Sequence, residues 1–510
     1  MQKNVLEYLE ASARRCPDKT AFTDGARSFT YAQLLSCAKG LGTHLARTAP
    51  CLRRPVAVLI GRTAESIAAM QGVLYAGGCY VPIDDHMPEA RMRKIFEQVR
   101  PAAIIFAEAN RAAAELVADC APLIFMEDGF QTEPDEALLA ALREQVIDLD
   151  PLYLLFTSGS TGTPKGVVVC HRSVIDFISC FTEIFGITER DVLANQAPFD
   201  FDVSVKDIYS GVMTGAEVAI IPTAYFTNPT KLMDFICEKK STVLVWAVSA
   251  LCFLTTMNAI EYRKPEHLRA IMFSGEVMPI KHLNKLRKLL PEVMYVNLYG
   301  PTEITCNCTY YIVDREFDLT QTLPIGVPFP NERILLLMED GREAAPGETG
   351  ELCVSGTAVA MGYYKDPERT AAVFTQNPLN SAYLEPIYRT GDLVRLEENG
   401  EMVYVSRKDF QIKHMGHRIE LGEIETAISA VEGVSRACCV YLHDKGKILA
   451  FTCGSADKKA ITDGLHDVLP AYMIPNIFMQ VEEMPLNKNG KIDRNALTDL
   501  YKKAKEARRG

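Results

Sequence analysis

Leu152-Tyr153-Leu154-Leu155-Phe156-Thr157-Ser158-Gly159-Ser160-Thr161-Gly162-Thr163-Pro164-Lys165-Gly166 runs an apolar, strand-forming stretch straight into a loop of glycines, hydroxyls and one lysine. Glycines let the backbone approach a polyanion closely, amides and hydroxyls donate hydrogen bonds to phosphate oxygens, and Lys165 can neutralise charge on a leaving group. A generic Gly/Ser/Thr cluster is usually a polar surface loop; this one is longer, more patterned and anchored to a strand. Gly162 is followed by Thr163-Pro164 before the lysine, which breaks the Walker spacing and argues against a P-loop NTPase. Another ATP-using architecture is required.

Outward from this loop, short β-branched runs alternate with amphipathic stretches as far as about residue 400, the pattern of parallel strands joined by helices. Val56 to Ile60 and Ala102 to Phe106 read as strands. Thr63 reads as a helix cap, with Ile67, Met70 and Leu74 following at helical spacing. From about 330 to 405 the pattern changes to short strands between glycine and proline turns, such as Ala345-Pro346-Gly347-Glu348-Thr349-Gly350. Beyond Asp409 an α+β pattern resumes: Ile424, Ile428 and Val431 mark a helix face, and Ala437 to Leu442 and Ala450 to Cys453 mark strands. The basic Lys502 to Arg509 end reads as a frayed tail.

With 510 residues, 48% of them hydrophobic and 23% charged, the chain has the composition of a globular protein of two to four folding units. A formal net charge of -11 disfavours nucleic acid and anionic membranes as partners. Its 15 cysteines lack paired metal-ligand spacing, so reduced thiols are expected. No apolar run reaches the roughly 18 residues of a membrane span, and a cytoplasmic location is the expectation.

TSGSTGTPKG resembles the signature of the adenylate-forming superfamily, which includes peptide-synthetase adenylation domains, acyl-CoA synthetases and luciferases. The resemblance continues in chain order through Leu74 to Pro82, Asn297-Leu298-Tyr299-Gly300-Pro301-Thr302-Glu303, Gly347 to Leu352, Tyr388-Arg389-Thr390-Gly391-Asp392, Asp409 to Lys413 and Asn489-Gly490-Lys491-Ile492-Asp493-Arg494. It implies an α/β fold. A large N-terminal domain over 1–408, with mixed and parallel sheets and a β-rich subdomain at about 330–405, precedes a small mobile α+β domain over 409–510 with its hinge near Asp409. Ser406 stands where the family usually has glycine.

The resemblance also implies site roles. Thr157, Ser158, Gly159, Ser160, Thr161, Gly162 and Lys165 would meet the ATP phosphates. Tyr299 would stack on adenine beside Asn297 and Gly300, Thr302 and Glu303 would contact phosphate and magnesium, and Asp392, assisted by Arg407, would hold the ribose hydroxyls. Lys491 would reach the substrate carboxylate and α-phosphate. The implied reaction is attack of a carboxylate on ATP, giving an acyl adenylate and pyrophosphate, then transfer to a thiol.

Phe201-Asp202-Val203-Ser204-Val205 resembles the amino-acid-activating branch, in which the aspartate pairs with an α-ammonium group. By motif register the pocket includes Asp202, Val203, Lys206, Val245, Met272, Ser274, Gly275, Leu298, Cys306 and Asn307. Asn195 to Phe199, Phe273 to Pro279 and Leu469 to Pro475 resemble D-alanine–D-alanyl carrier protein ligases. Ser274 and Lys206, however, replace that group's usual cysteine and apolar side chain. An inward Lys206 would pair with an acidic or strongly polar substrate; a Lys206 bridged to its neighbours would not. Little chain follows Lys491, so the expected phosphopantetheine carrier acts in trans. The alternatives are an acyl-CoA synthetase, against which Asp202 argues, and a catalytically silent module, against which Lys165, Glu303, Asp392 and Lys491 argue.

Overall fold

The computed structural model describes residues 2–159, 163–442, 445–486 and 492–507. They form two compact units, the first made of 1–85, 99–155 and 166–408, the second of 86–98, 156–165 and 409–510. The sequence reading gives all of 1–408 to one domain, whereas here 86–98 and 156–165 group with 409–510.

The first unit is organised by a nine-stranded sheet. At its centre lie five parallel strands in the order Glu217–Ile220, Val192–Asn195, Val243–Ala247, Ala270–Ser274 and Met294–Tyr299. These strands are buried on both faces, which is why they read as nearly continuous apolar runs. Side chains alternate across a strand. Leu193, Val218, Val245, Met272 and Leu298 accordingly enter one buried cluster, while Ala194, Ala219, Trp246, Phe273 and Tyr295 enter another. The helix Val203–Thr214 adds Val203, Val205, Ile208, Tyr209 and Val212 to the first cluster. Val245, Met272 and Leu298, the strand residues of the expected pocket in this cluster, are therefore presented on one sheet face.

A seven-stranded sheet includes Pro55–Ile60, Cys79–Asp84, Pro151–Thr157 and Lys165–Cys170. Thr63 caps the helix Ala64–Tyr75, its side chain accepting from the Ser66 amide. The strand expected from Ala102 starts only at Ile104. A five-stranded antiparallel sheet is built around Thr349–Gly356 and Pro386–Leu396.

In the second unit the strands Val434–Leu442, Lys447–Gly454 and Ile477–Gln480 form one sheet, and Gln411–His414 pairs with His417–Glu420 as a hairpin. The helix Leu421–Ser429 buries Ile424 and Ile428; Val431 lies past its end. The frayed tail is a correction. The helix Arg494–Ala507 covers residues 502–507 of it, anchored by Leu497, which is fully buried, and Tyr501, which packs against the same apolar cluster, both just ahead of the basic segment. No helix among the described residues is long and apolar enough to cross a membrane. All fifteen cysteines are free thiols.

Candidate active site

Parallel sheets place ligands beyond the carboxyl ends of their strands. In the first unit these ends are Asn195, Ala247, Ser274 and Tyr299. Val245 pairs in register with Met272, and Ala247 with Ser274, so Met272 and Ser274 share a face two residues apart. Val203, Val245, Met272, Leu298 and Cys306 join one apolar cluster, and a Cβ placed on Gly275 meets nothing within 4 Å, leaving open space beside Ser274. Asn297 has the opposite strand parity from Leu298, and its side-chain amide donates to the Pro324 carbonyl at 2.8 Å.

The segment after Met294–Tyr299 is fixed by close backbone packing. A Cβ on Gly300 would lie 2.5 Å from the Asn307 Cα, 2.7 Å from the Cys306 oxygen and 2.9 Å from the Cys308 nitrogen, so only glycine fits without movement. Thr305 and Cys306 both take left-handed backbone angles, φ 51° and 81°, which cost about 1–3 kcal/mol each. Thr305 Oγ1 donates to the Ala358 carbonyl at 2.7 Å, and Cys306 Sγ donates to the Asp202 carbonyl at 2.9 Å, offsetting that strain. The turn brings Thr302 to Asp202, whose Oδ2 accepts its hydroxyl at 2.6 Å. Thr302, expected to contact phosphate, is thus tied to Asp202, the aspartate expected to meet the substrate's ammonium group. Asp202 precedes its helix without making a side-chain capping bond. Glu303 is fully buried, and its Oε1 accepts the Tyr363 hydroxyl at 2.7 Å. Tyr363 lies 60 residues away in sequence, and nothing local in the sequence announces that partnership.

Tyr299, Asp392 and Arg407 form a compact group in the same unit. The Tyr299 hydroxyl donates to Asp392 Oδ2, and Arg407 pairs with Asp392 Oδ1 at 2.6 Å. Burial, reinforced by the Asp392 charge, holds the Tyr299 phenol well above its ordinary pKa, so it remains a donor. A carboxylate offers about four lone-pair sites, so Asp392 keeps acceptor capacity for further hydroxyls.

In the second unit, Ser158 Oγ donates to the Arg418 carbonyl at 2.8 Å and accepts from the Glu420 amide at 3.0 Å. The Gly159 amide donates to Glu423 Oε2 at 3.3 Å, and Glu423 pairs with Arg91. The Thr157 hydroxyl is buried with no hydrogen-bond partner among the described residues. Lys165 is buried at the start of its strand. Ser160, Thr161, Gly162 and Lys491 lie outside the described residues.

Lys206 and Asp207, neighbours on the helix Val203–Thr214, are both fully buried. Lys206 Nζ donates to Asn307 Oδ1 at 2.6 Å. Asp207 Oδ2 accepts from Asn195 Nδ2 at 2.8 Å, and Asn195 Oδ1 accepts from Arg62 at 3.0 Å, a relay whose three members the motif reading did not assign. Their only sequence signal was Asn195, at the head of the Asn195 to Phe199 stretch.

Burial pushes the Asp207 carboxyl up from 3.8 to about 7, against the opposing pull of Asn195, Lys206 and Arg62. A raised carboxyl keeps its proton in the folded state while the unfolded chain releases it, so this contribution to stability falls as pH rises from the unfolded value to about 7 and is level above. Asp207→Asn removes that slope. Its melting temperature relative to wild type is expected to be higher at about pH 8 than at about pH 5, and an unchanged difference would reject the assignment.

The chain matches the AMP-binding enzyme family over residues 9–364 and the AMP-binding enzyme C-terminal domain over 423–491. It is 32% identical to bacitracin synthase 1 of Bacillus licheniformis over 98% of its own length but spans only 9% of that protein. It is 31% identical to zwittermicin A synthase ZmaJ of Bacillus cereus, covering 98% of this chain and 95% of the relative. A solved NRPS protein containing adenylation and PCP domains superposes with a TM-score of 0.82 at 26% identity, over 97% of this chain and 84% of the other. Full-length similarity to ZmaJ, the two family matches in chain order and the mixed α/β fold agree, and this chain belongs to the AMP-binding enzyme family, within the adenylate-forming superfamily.

Proposed function

We propose that this chain activates an amino acid with ATP, forming an aminoacyl adenylate and pyrophosphate, and then passes the acyl group to the phosphopantetheine thiol of a carrier protein. Asp202 carries the reading. It is a buried carboxylate next to Val203 of the apolar cluster that also holds Val245, Met272 and Leu298, and a substrate cation would offset the desolvation of an ionised acid there. An α-ammonium group supplies that cation; a fatty or aryl acid does not. The adenylation and PCP domains of the solved relative support a carrier partner.

The chemistry brings two anions together, so positioned positive charge lowers the barrier. Lys165 and Lys491 are the lysines assigned to it. Asp392, with Tyr299 and Arg407, positions the nucleotide through its ribose. Magnesium fits the donor set. Glu303 offers one buried carboxylate, and among the described residues no group of three protein ligands gathers around it, which suits an ion completed by phosphate oxygens and water. Held there, magnesium would supply charge neutralisation to the phosphates. The backbone amide of Gly159 accommodates one strong acceptor, so a phosphate bound at that position takes the place of Glu423.

The stretches resembling D-alanine–carrier protein ligases support an amino-acid ligase, while Lys206 and Ser274 give this pocket a different chemistry. The test is exchange of labelled pyrophosphate into ATP with a panel of amino acids of both hands and simple carboxylic acids. Exchange dependent on an amino acid is expected. Exchange with simple acids alone would identify an acyl-CoA synthetase-like ligase, and no exchange at all would point to a silent module; either result ends the proposal.

A further inference from the structure

Lys206 is a fully buried lysine in the first unit. A fully buried lysine is rare unless it is paired. Its ammonium has three donors, and among the described residues one is used, by the neutral Asn307 carboxamide at 2.6 Å. No described carboxylate lies within ion-pair distance of it. Asp207, the nearest in sequence, is bound through Asn195 to Arg62. Asp202, one helical turn earlier, accepts the Thr302 hydroxyl. The Cys306 thiol is buried and held well above its ordinary pKa, so it stays neutral and is no counter-anion.

A charge tally of this pocket indicates its ligand. Before substrate enters, burial works against the charged form of Lys206, the Asp202 and Asp207 side chains attract its ammonium without bonding to it, and Asn307 takes one of its donors. An α-ammonium pairing with Asp202 weakens that attraction and leaves the fully buried Lys206 short of negative charge. Residues four apart on a helix project from one face, about 5–6 Å from each other. Asp202 and Lys206 stand four residues apart at the start of the helix Val203–Thr214, so one substrate can present its α-amino group to the first and a side-chain carboxylate to the second.

We propose that the substrate is an acidic α-amino acid, its side-chain carboxylate taken by Lys206, which Asn307 orients. This rests on the amino-acid adenylation reading above. Lys206 is then the residue that selects the side chain, and it does so by polar pairing, which discriminates far better than apolar shape does.

The experiment is amino-acid-dependent pyrophosphate exchange on the full chain, comparing aspartate with asparagine and glutamate with glutamine in both hands, alongside neutral apolar amino acids. Wild type is expected to favour an acid over its amide by about 100-fold in kcat/KM. Lys206→Met, close in length and lacking the charge, is expected to abolish that preference and reverse the order of acid and amide. A wild-type enzyme that works best on a neutral amino acid overturns this proposal and leaves amino-acid adenylation standing. Absence of exchange with every amino acid removes both. The wild-type ranking decides the matter even if the variant does not fold, and a folded variant with an unchanged ranking also overturns it.

Discussion

Asp202→Asn is expected to lower amino-acid-dependent pyrophosphate exchange by about 100-fold or more in kcat/KM, with ATP binding preserved. The substitution keeps the side chain's size. The amide oxygen of the variant still accepts the Thr302 hydroxyl, so the 2.6 Å bond that orders the turn before Glu303 survives. What is lost is the negative charge that the proposal sets opposite the substrate ammonium in a buried site. Removing one partner of a buried ion pair costs about 3–5 kcal/mol, because the other charge is left uncompensated. The loss should appear mainly in the dependence on amino acid, while the Tyr299, Asp392 and Arg407 group is untouched and nucleotide affinity, measured by calorimetry, stays near wild type. Retention of activity within tenfold would mean that the substrate's amino group is recognised elsewhere.

Gly300→Ala is expected to destabilise the first unit by about 3 kcal/mol and to impair amino-acid activation together with stability. The added methyl carbon would stand 2.5 to 2.9 Å from three backbone atoms of residues 306–308, none of which is the movable end of a side chain. Relief requires pushing this segment outward. That strains the Cys308 amide bond to the Tyr299 carbonyl, now 2.9 Å, and displaces Cys306 and Asn307, which hold Asp202 and Lys206 respectively. Gly61→Ala serves as the control, because its added carbon would meet only Thr63 Cγ2, at 3.5 Å. Thermal unfolding of the two variants beside wild type checks the claim. Equal melting temperatures for Gly300→Ala and Gly61→Ala would show that the segment yields more readily than its geometry implies.

The sequence alone carried the α/β alternation, the position of the phosphate loop and the ordered motifs, because each is written in neighbouring residues. A strand such as Val243–Ala247 is apolar throughout since both its faces are covered, and a loop that nears a polyanion needs glycine and hydroxyls in succession. Local pattern also misled. The basic residues from Lys502 onward hid the fact that the helix Arg494–Ala507 reaches residue 507, and Ala102 and Ala103 extended a strand that starts at Ile104.

The partners were beyond the reach of pattern. Glu303 meets Tyr363, Asp202 meets Thr302, and Lys206 meets Asn307, pairs separated by 60, 100 and 101 residues. Sequence determined that a lysine follows Asp202 by one helical turn. Only the tertiary structure decided that this lysine is buried on a neutral carboxamide, because that outcome depends on Gly300 admitting the backbone of 306–308 and on two left-handed residues turning Asn307 toward it. Covalent neighbours fix local conformation; distant packing fixes which charge answers which.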